Sequence, residues 1–339
     1  MQHSKDDLRQ MQSVPLAGKI LMTKRRIREW YEGWDGQVYV SFSGGKDSTV
    51  LKHIVDSMYS DVPAVFVNTG LEYPEIQRFV RDVKAGKWGC FNSDVEILRP
   101  EMRFDEVIHK YGYPVVSKIV SKRVEEARSA IENGKKDAVC VRQIEERYFT
   151  PDGRKSPYNY GKWQYLLSAP FRISHKCCNE MKKKPFAAYE KQSGRKPFVG
   201  TMACESKLRT DKWLQNGCNA FDGKKPKSQP LSFWTDQDIL HYIKAFDVPY
   251  CPVYGEIIID SPDGQISMFD CLNCYGPQDK LATTGCSRTG CMFCMFGCHL
   301  EKAPNRFQRM KVTHPKQYAY CMETLGLKDV LEYINVPFE

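Results

Sequence analysis

The six residues Ser43, Gly44, Gly45, Lys46, Asp47 and Ser48 combine the groups that an anion-binding turn requires. They lie between an apolar stretch, "VYVSF", and a segment whose apolar residues recur at helical spacing. Paired glycines let backbone N–H groups approach an anion without interference from a Cβ atom, and a following helix adds the positive end of its dipole. The two serines supply hydroxyl donors and Lys46 a positive charge. The stretch predicts a phosphate-binding turn, although it lacks the spacing of the Walker loop.

Cysteine is the second residue type whose distribution indicates chemistry. The chain has 14 cysteines, and six of them fall close together: Cys271, Cys274, Cys286, Cys291, Cys294 and Cys298. The polar N-terminal residues lack the apolar core of a signal peptide, which predicts a cytoplasmic protein whose thiols stay reduced. The cysteines therefore indicate a metal centre or redox chemistry rather than disulfides.

Composition and charge limit the partners. The net charge of +9 favours anionic partners, either nucleotides or a nucleic acid, although a basic surface that only aids solubility is about as compatible with it. No apolar run approaches the roughly 20 residues that span a bilayer, so we expect no membrane partner.

The elements that must position these residues alternate along the chain. Apolar strands are predicted at 37–42, in "PAVFVNTG", in "DVEILRP" and in "KPFVGTMA", with helices between them. This alternation predicts an α/β fold with a mainly parallel sheet and helices on both faces. Three parts are predicted: an N-terminal helical segment over 1–35, a nucleotide-binding domain over 36–254 and a cysteine-rich module over 255–339.

Five segments, in order, resemble a known family. "SGGKDS" is similar to the PP-loop of the ATP pyrophosphatase superfamily, whose fold is adenine nucleotide α-hydrolase-like. "FVNTGLEYPE" and "PLSFWTDQDILHYIKAFDVPYCPVY" resemble segments of phosphoadenylyl-sulfate (PAPS) reductases. "HKCCNEMKKKP" and "CMFC" resemble the cysteine segments of the iron–sulfur adenylyl-sulfate (APS) reductases.

The resemblance implies an adenine nucleotide as ligand and assigns roles to residues. Nucleotide binding falls to the turn, Ser43 to Ser48, and to Asn68, Thr69 and Gly70 after the second strand. Lys207 and Arg209, in "ESKLR", match a segment that contacts substrate anions in that family. With Lys46 and Asp47 they are the candidate catalytic residues. Arg288 is compatible with two roles, contacting substrate or capping a cluster loop.

The resemblance also implies that Cys177, Cys178, Cys291 and Cys294 ligate a [4Fe–4S] cluster. Adjacent cysteines are unusual as a zinc pair, whereas each can take one iron corner of a cubane. A local alternative stays open: Cys286, Cys291, Cys294 and Cys298 form a C-x4-C-x2-C-x3-C run that suits a cluster or zinc. Under the first assignment, Cys271 and Cys274 have the spacing of a separate Zn²⁺ site.

Two departures from the reductases shape the functional hypothesis. The chain ends in "EYINVPFE" and lacks their C-terminal cysteine motif, and its phosphate turn is intact, as in enzymes that cleave ATP. In this the chain resembles the iron–sulfur PP-loop ATPases of DNA phosphorothioation and tRNA thiolation. We therefore expect an enzyme that uses ATP and Mg²⁺ to adenylate an acceptor, with nucleic acid as the favoured class, for sulfur transfer. A donor protein that supplies sulfur or electrons, and a homodimer, are compatible with this hypothesis.

Two alternatives belong to other classes. One is an APS or PAPS reductase whose nucleophile has moved, with Cys204 or Cys321 as candidates. The other is a module that binds nucleotide without turnover.

Overall fold

The computed structural model describes residues 3–223, 225–260, 276 and 279–339. Contacts group the chain into two units. The first unit contains Met1–Asn68, Glu72–Leu98 and Phe186–Thr289, and the second contains Thr69–Leu71, Arg99–Pro185 and Gly290–Glu339. This grouping cuts the chain at other points than the three-part division expected from the sequence, which stays a prediction.

The described strands and helices follow one another along the chain. The strands are β1 (Val38–Ser41), β2 (Ala64–Val67), β3 (Val95–Leu98), β4 (Val115–Val116), β5 (Lys196–Val199), β6 (Asn219–Ala220), β7 (Lys227–Ser228), β8 (Ile257–Ile259), β9 (Leu281–Thr283) and β10 (Met295–Phe296). The helices are α1 (Lys5–Ser13), α2 (Leu16–Gly33), α3 (Lys46–Asp56), α4 (Pro74–Lys84), α5 (Phe104–Tyr111), α6 (Lys118–Glu132), α7 (Val139–Ile144), α8 (Lys184–Ser193), α9 (Lys207–Asn216), α10 (Asp236–Ala245), α11 (Arg306–Thr313), α12 (Pro315–Ala319) and α13 (Leu327–Tyr333).

A six-stranded sheet organises the first unit, in the order β3-β2-β1-β5-β7-β6. Every neighbouring pair is parallel except β6 with β7. Val40 of β1 lies opposite Ala64 of β2 and Phe198 of β5, which places β1 at the centre. The predicted mainly parallel sheet is confirmed.

Both faces of this sheet are covered. Val38, Val40 and Phe42 point into the large core, and the intervening Tyr39 packs with Tyr189 on the other face. This alternation follows from the strand period of two, and apolar residues on both faces are typical of parallel sheets. The α/β fold class is confirmed.

Local signals fix several helix boundaries. Pro74 occupies the first turn of α4, and Thr235 caps α10 in a reciprocal capping box with Asp238. The N-terminal helical segment expected over 1–35 contains two helices, because Pro15 separates α1 from α2. Proline lacks the N–H that a continuous helix would need.

The second unit has helices and little sheet. Its described strands β4 and β10 form one parallel pair, Val115 opposite Met295 and Val116 opposite Phe296. The segment 138–171 contains the short helix α7 and a 3₁₀ helix at Gly161–Ser168. Among the residues that the structure describes, no helix is long and apolar enough to cross a membrane.

A buried ion pair in α3 gives a first prediction. Lys52 and Asp56 have side chains 0% and 4% exposed, and Lys52 Nζ lies 2.8 Å from Asp56 Oδ2. Asp56→Ala should lower the free energy of unfolding by about 3–5 kcal/mol, because it leaves a buried ammonium without its counter-charge. Urea denaturation measures this effect.

The matched control is Asp260→Ala. Asp260 pairs with Lys280 at the surface, so its removal should cost no more than about 1 kcal/mol. Replacing both members, as Lys52→Met with Asp56→Ala, should recover most of the loss. Equal effects of Asp56→Ala and Asp260→Ala would contradict the buried pair.

Candidate functional site

The phosphate turn connects β1 to α3 at the carboxyl ends of the parallel strands. The Ser43 N–H donates to Ser48 Oγ over 3.1 Å, and Ser48 Oγ donates to the Gly45 carbonyl over 2.9 Å. At Gly200, directly after β5, a Cβ atom would lie 3.1 Å from the Asp47 carbonyl oxygen, so the end of β5 lies against the first turn of α3. Open α/β sheets bind ligands at this edge.

Gly44 and Gly45 leave no room for side chains in the turn. Gly44 has φ +71°, and a Cβ there would lie 2.9 Å from methyl groups of Ile76 and Val80. At Gly45 a Cβ would lie 3.0 Å from Thr289 Oγ1. Gly45 is also the N-cap of α3 and has no side chain to cap the first amides of the helix. The turn therefore keeps bare backbone at a helix N-terminus, as an anion site requires.

Gly44→Ala tests this geometry. The left-handed backbone costs an L-residue about 1–2 kcal/mol and the clash about 1–3 kcal/mol more, so we expect a loss of stability of about 2–4 kcal/mol. Gly86→Ala is the control, because Gly86 has φ +70° while its nearest contact would be 3.9 Å away. Urea denaturation of both variants should show the larger loss in Gly44→Ala. Equal losses of stability in the two variants would mean that the side chains of α4 do not restrict space at Gly44.

Lys46 is buried between two carboxylates. Its Nζ lies 2.8 Å from Asp47 Oδ1 and 2.8 Å from Asp236 Oδ1. Burial acts to lower the pKa of the amine, but Asp47 and Asp236 together raise it, so Lys46 stays charged. A buried, charged lysine at the N-terminus of α3 is suited to contact a phosphate oxygen.

Three partners of the turn were not predicted from the sequence. Tyr254 accepts a hydrogen bond from the Lys46 N–H over 3.0 Å, and its hydroxyl lies 2.8 Å from Thr289 Oγ1. Asp236 is the third. Burial raises the pKa of Tyr254 to about 12, so it stays neutral. Asp236 and Tyr254 both fall in the segment "PLSFWTDQDILHYIKAFDVPYCPVY", and that resemblance was the available signal.

Four cysteines come together in the second unit. Burial raises the pKa of the Cys177 thiol, and the neighbouring sulfurs of Cys178, Cys291 and Cys294 raise it further, so all four lie within electrostatic range. Cys178 is followed directly by a π-helix, Asn179–Lys183, and the Cys294 N–H closes a turn on the Cys291 carbonyl over 3.2 Å. The structure thus brings together the four cysteines that the sequence singled out.

Ligation of a cluster by these cysteines stays a prediction. Among the described residues, no three His, Cys, Asp or Glu side chains are grouped as ligands of one metal ion. In a cubane each thiolate binds a separate iron, so its ligands lie farther apart than those of one zinc. Cys177 is buried, and the sulfurs of Cys178, Cys291 and Cys294 act on it electrostatically, which is compatible with a cluster.

The cysteines of the alternative site, the C-x4-C-x2-C-x3-C run, are split between the two units. Cys286 belongs to the first unit, where its sulfur lies 3.5 Å from the Tyr73 hydroxyl. Cys298 belongs to the second, where its thiol donates to the Met295 carbonyl over 2.9 Å. Burial raises the pKa of Cys298 to about 12. Cys271 and Cys274, the predicted zinc pair, lie outside the described residues.

Comparison with protein-family models identifies a family for most of the chain. The model of the phosphoadenosine phosphosulfate reductase domain matches residues 37–296, most of the chain. The chain belongs to this family. The matched range includes the phosphate turn and all four of the converging cysteines.

Two curated relatives match this reductase-family chain over a smaller part of its length. It is 37% identical over 89 residues, and 32% over 91, to two uncharacterized proteins of Methanocaldococcus jannaschii. Each match covers 26% of the chain, which spans only 18% and 21% of those relatives.

Two solved structures were also found. A PAPS reductase from Candida auris in complex with phosphate is 14% identical, with TM-score 0.39, covering 74% of this chain and 91% of that one. An FMN adenylyltransferase from Candida glabrata is 12% identical, with TM-score 0.40, covering 76% and 70%.

The remaining residues that the reductase resemblance selected fall in two places. Asn68 is the last residue of the first segment of the first unit, and its N–H donates to the Leu98 carbonyl over 2.8 Å. Thr69 and Gly70 belong to the second unit, and Thr69 Oγ1 accepts from the Leu71 N–H over 3.2 Å. Lys207 is exposed at the start of α9, whereas Arg209, one half-turn on, is ion-paired with Glu205.

The two candidate nucleophiles of a reductase differ in access. Cys321 is fully buried, and burial raises its pKa. Cys204 is an exposed residue whose thiol lies 3.4 Å from the Trp234 carbonyl; burial of the thiol raises its pKa, and Asp236 adds to this. Cys204 is the better placed of the two.

A basic cavity of about 440 Å³ lies beside Cys178 in the second unit. Lys118, Lys176, Lys183 and His175 contribute to its lining, with Glu180 as an acidic member. Lys176 Nζ pairs with Glu125 Oε1 over 3.0 Å. The excess of positive charge suits a small anion next to the cysteines.

Proposed function

We propose that this reductase-family chain cleaves ATP between its α- and β-phosphates and adenylates an acceptor, which then receives sulfur. The supporting observation is the intact phosphate turn, with bare glycines at a helix N-terminus and the charged Lys46 behind them. A turn built in this way suits the pyrophosphate group of a nucleotide.

The turn provides the groups that stabilise a departing pyrophosphate. Backbone N–H groups of Gly44 and Gly45 donate to its oxygens, and Lys46 neutralises charge as the α–β bond breaks. The acceptor oxygen attacks the α-phosphorus and forms an adenylated acceptor, and sulfur later displaces AMP. Ser43 and Ser48 hold the turn in shape through their mutual hydrogen bond of 2.9 Å.

Mg²⁺ fits this arrangement. It is usually held by one or two carboxylates together with substrate phosphates. Asp47 and Asp236 flank Lys46 and would hold the ion once nucleotide phosphates draw the ammonium away. The ion would add positive charge at the leaving pyrophosphate.

Cys177, Cys178, Cys291 and Cys294 would hold a [4Fe–4S] cluster, which supplies iron that binds sulfur or braces the site. Their convergence in one unit supports this assignment. The basic cavity beside Cys178 suits an anionic sulfur donor, delivered free or by a donor protein. We propose a cytoplasmic enzyme with a nucleic-acid acceptor, in keeping with the charge of +9.

The test is product analysis of anaerobically purified protein. Incubation with ATP, Mg²⁺ and a pool of DNA and RNA acceptors should release pyrophosphate. Release that requires the nucleic acid would identify the acceptor class. If the protein binds ATP but releases no pyrophosphate with any acceptor, it would be a module that binds nucleotide without turnover.

A second candidate, an APS or PAPS reductase, is favoured by one observation. Cys204 is exposed and lies within electrostatic range of Asp47 and Asp236, beside the turn. Such an enzyme would release sulfite from APS or PAPS in the presence of thioredoxin or dithiothreitol. Sulfite release lost in Cys204→Ser would establish the reductase, and its absence from the wild type would exclude it.

A further inference from the structure

Aromatic and basic side chains are concentrated in the segment 142–163, which belongs to the second unit. Five of its 22 residues are aromatic, against 12% of the whole chain. It also has five Lys and Arg residues and only three carboxylates, so its charge is positive. The proposed ATP chemistry assigns no role to any of these residues.

Part of this segment forms a hairpin that brings Phe149 and Lys155 side by side. The two residues form an antiparallel bridge. On either side of the bridge, the N–H groups of Thr150 and Ser156 donate to carbonyls across the hairpin, over 2.8 Å and 3.1 Å. Phe149 and Lys155 are therefore a non-hydrogen-bonded pair, the kind whose side chains lie closest together.

The hairpin has an inner and an outer face. Ser156 is buried, whereas the neighbouring pair faces outward: Phe149 is 54% exposed and the Lys155 side chain 57%. Arg147 and Arg154, close to this pair along the chain, are also exposed. The exposed ring thus has three cations near it, along the chain or across the hairpin.

The hairpin is held in place by its own hydrogen bonds. The Asn159 side chain accepts the Tyr148 N–H over 3.2 Å and donates to the Tyr148 and Ser156 carbonyls over 2.8 Å and 3.0 Å. The Tyr160 N–H donates to the Gln143 carbonyl over 2.8 Å, which joins the hairpin to α7. A surface that is already ordered loses little conformational entropy when it binds.

The cations of the outer face are available to a polyanion. Each forms an ion pair with a nearby carboxylate: Arg147 with Glu145, Arg154 with Asp152 and Lys155 with Glu146. These pairs are open to solvent, and such pairs contribute little to stability. Phosphates along a nucleic-acid strand can therefore replace the carboxylates, with release of counterions from the strand.

The aromatic ring favours a single strand over a duplex. Bases in a duplex stack on one another, whereas an unpaired base can stack on an exposed aromatic side chain. Such stacking tolerates any base, because every base has a π-face. Tyr158, which is 63% exposed, provides a second ring in the same segment.

We propose that the outer face of the hairpin, formed by Phe149, Arg147, Arg154 and Lys155 together with Tyr158, binds single-stranded nucleic acid. Unpaired bases stack on the rings, and backbone phosphates contact the cations. The inference rests on the proposed function for the class of acceptor, and it gives that acceptor a binding surface in the second unit.

Phe149→Ala is the test variant, and Phe246→Ala is its control. Phe246 belongs to the first unit and is 50% exposed, so the two changes remove equally accessible rings. The probes are short fluorescein-labelled oligothymidylate and oligouridylate, measured by anisotropy over a salt series. The oligothymidylate paired with its complement is the duplex probe.

Phe149→Ala should weaken binding of the single strands by about fivefold or more, the loss expected when a base loses its stacking partner. Its affinity for the duplex should stay within about twofold of wild type, because paired bases do not reach the ring. Phe149→Trp should retain single-strand affinity, since it keeps a ring.

The phosphate contacts have a separate readout. Lys155→Gln should reduce the salt slope of single-strand binding by about 0.7, the value for one phosphate contact. Lys280→Gln is the control, because Lys280 is an exposed lysine of the first unit that pairs with Asp260. It should leave the slope unchanged.

Single-strand affinity of Phe149→Ala within about twofold of the Phe246→Ala value would overturn the inference, and a protein partner would then be the alternative occupant. Wild-type protein that binds neither oligonucleotide, or equal losses with single strand and duplex, would overturn it as well. These outcomes are separable from failure of the proposed function, because binding is measured without ATP. If Phe149→Ala lowers the midpoint of unfolding, Tyr158→Ala carries the same comparison.

Discussion

Lys46→Ala should abolish pyrophosphate release, with a loss of at least about 10²–10³-fold, while iron content stays at the wild-type level. Lys46 provides the buried positive charge of the turn, and its removal leaves Asp47 and Asp236 facing the nucleotide phosphates without a counter-charge. Losses of this size are typical when one preorganised group that stabilises developing charge is removed. Asp47→Ala should have a comparable effect, because Asp47 positions Lys46 and would hold Mg²⁺.

Lys19→Ala is the matched control for this prediction. Lys19 is also buried, and its Nζ lies 2.6 Å from Asp238 Oδ2 in the same unit. Its removal should lower stability and leave the rate of pyrophosphate release per folded molecule unchanged. Wild-type turnover in Lys46→Ala or Asp47→Ala would mean that the turn is structural, and the ATP hypothesis would lose its main support.

Cys177→Ser and Cys178→Ser should each remove most of the iron, whereas Cys286→Ser and Cys298→Ser should retain it. The first pair lies in the same unit as Cys291 and Cys294, whose sulfurs act electrostatically on Cys177, and Cys286 belongs to the other unit. Iron per chain and the charge-transfer absorbance near about 400 nm measure the outcome. Loss of a thiolate ligand also removes metal-coupled folding energy, so the first pair should lower stability far more than a surface change.

The structure changes what cluster loss should affect. In the three-part division expected from the sequence, a cluster on these cysteines would join the module over 255–339 to the domain over 36–254. All four cysteines instead belong to the second unit, which combines Arg99–Pro185 with Gly290–Glu339. Ligand loss should therefore expose these two segments to limited proteolysis, with Cys286→Ser as the matched control.

Iron retained without Cys177 and Cys178 would refute the assignment. If iron is then lost in Cys286→Ser and Cys298→Ser, the local cysteine run is the site. Zinc in place of iron would count less strongly against the assignment, because a cluster can be lost in air and its thiolates refilled.

The turn and its flanking elements were predictable because their signals are local. The change from strand to helix periodicity fixed β1, the turn and α3, and the capping box fixed the start of α10. The strands β6 and β7 have two residues each, too few to show a period of two. The break between α1 and α2 has a local signal in Pro15 itself.

The surroundings of the turn depend on contacts between distant residues. Asp236 lies 190 positions from Lys46, and Arg288, which pairs with Glu205, lies 83 positions from it. Neither pair has a spacing that a helix or strand period could reveal. Cys177 and Cys291 were paired through the family resemblance, and local spacing alone favoured Cys286 and Cys298.

The most direct test of the account is the pair of products formed from ATP. Phosphorus NMR of the anaerobically purified, iron-loaded protein with ATP, Mg²⁺, the acceptor pool and sulfide as a free sulfur donor should show AMP and pyrophosphate rising together. The equal yields would follow from cleavage between the α- and β-phosphates at the Lys46 turn. ADP with orthophosphate would place the cleavage at another bond and contradict the account, as would ATP that stays intact with every acceptor.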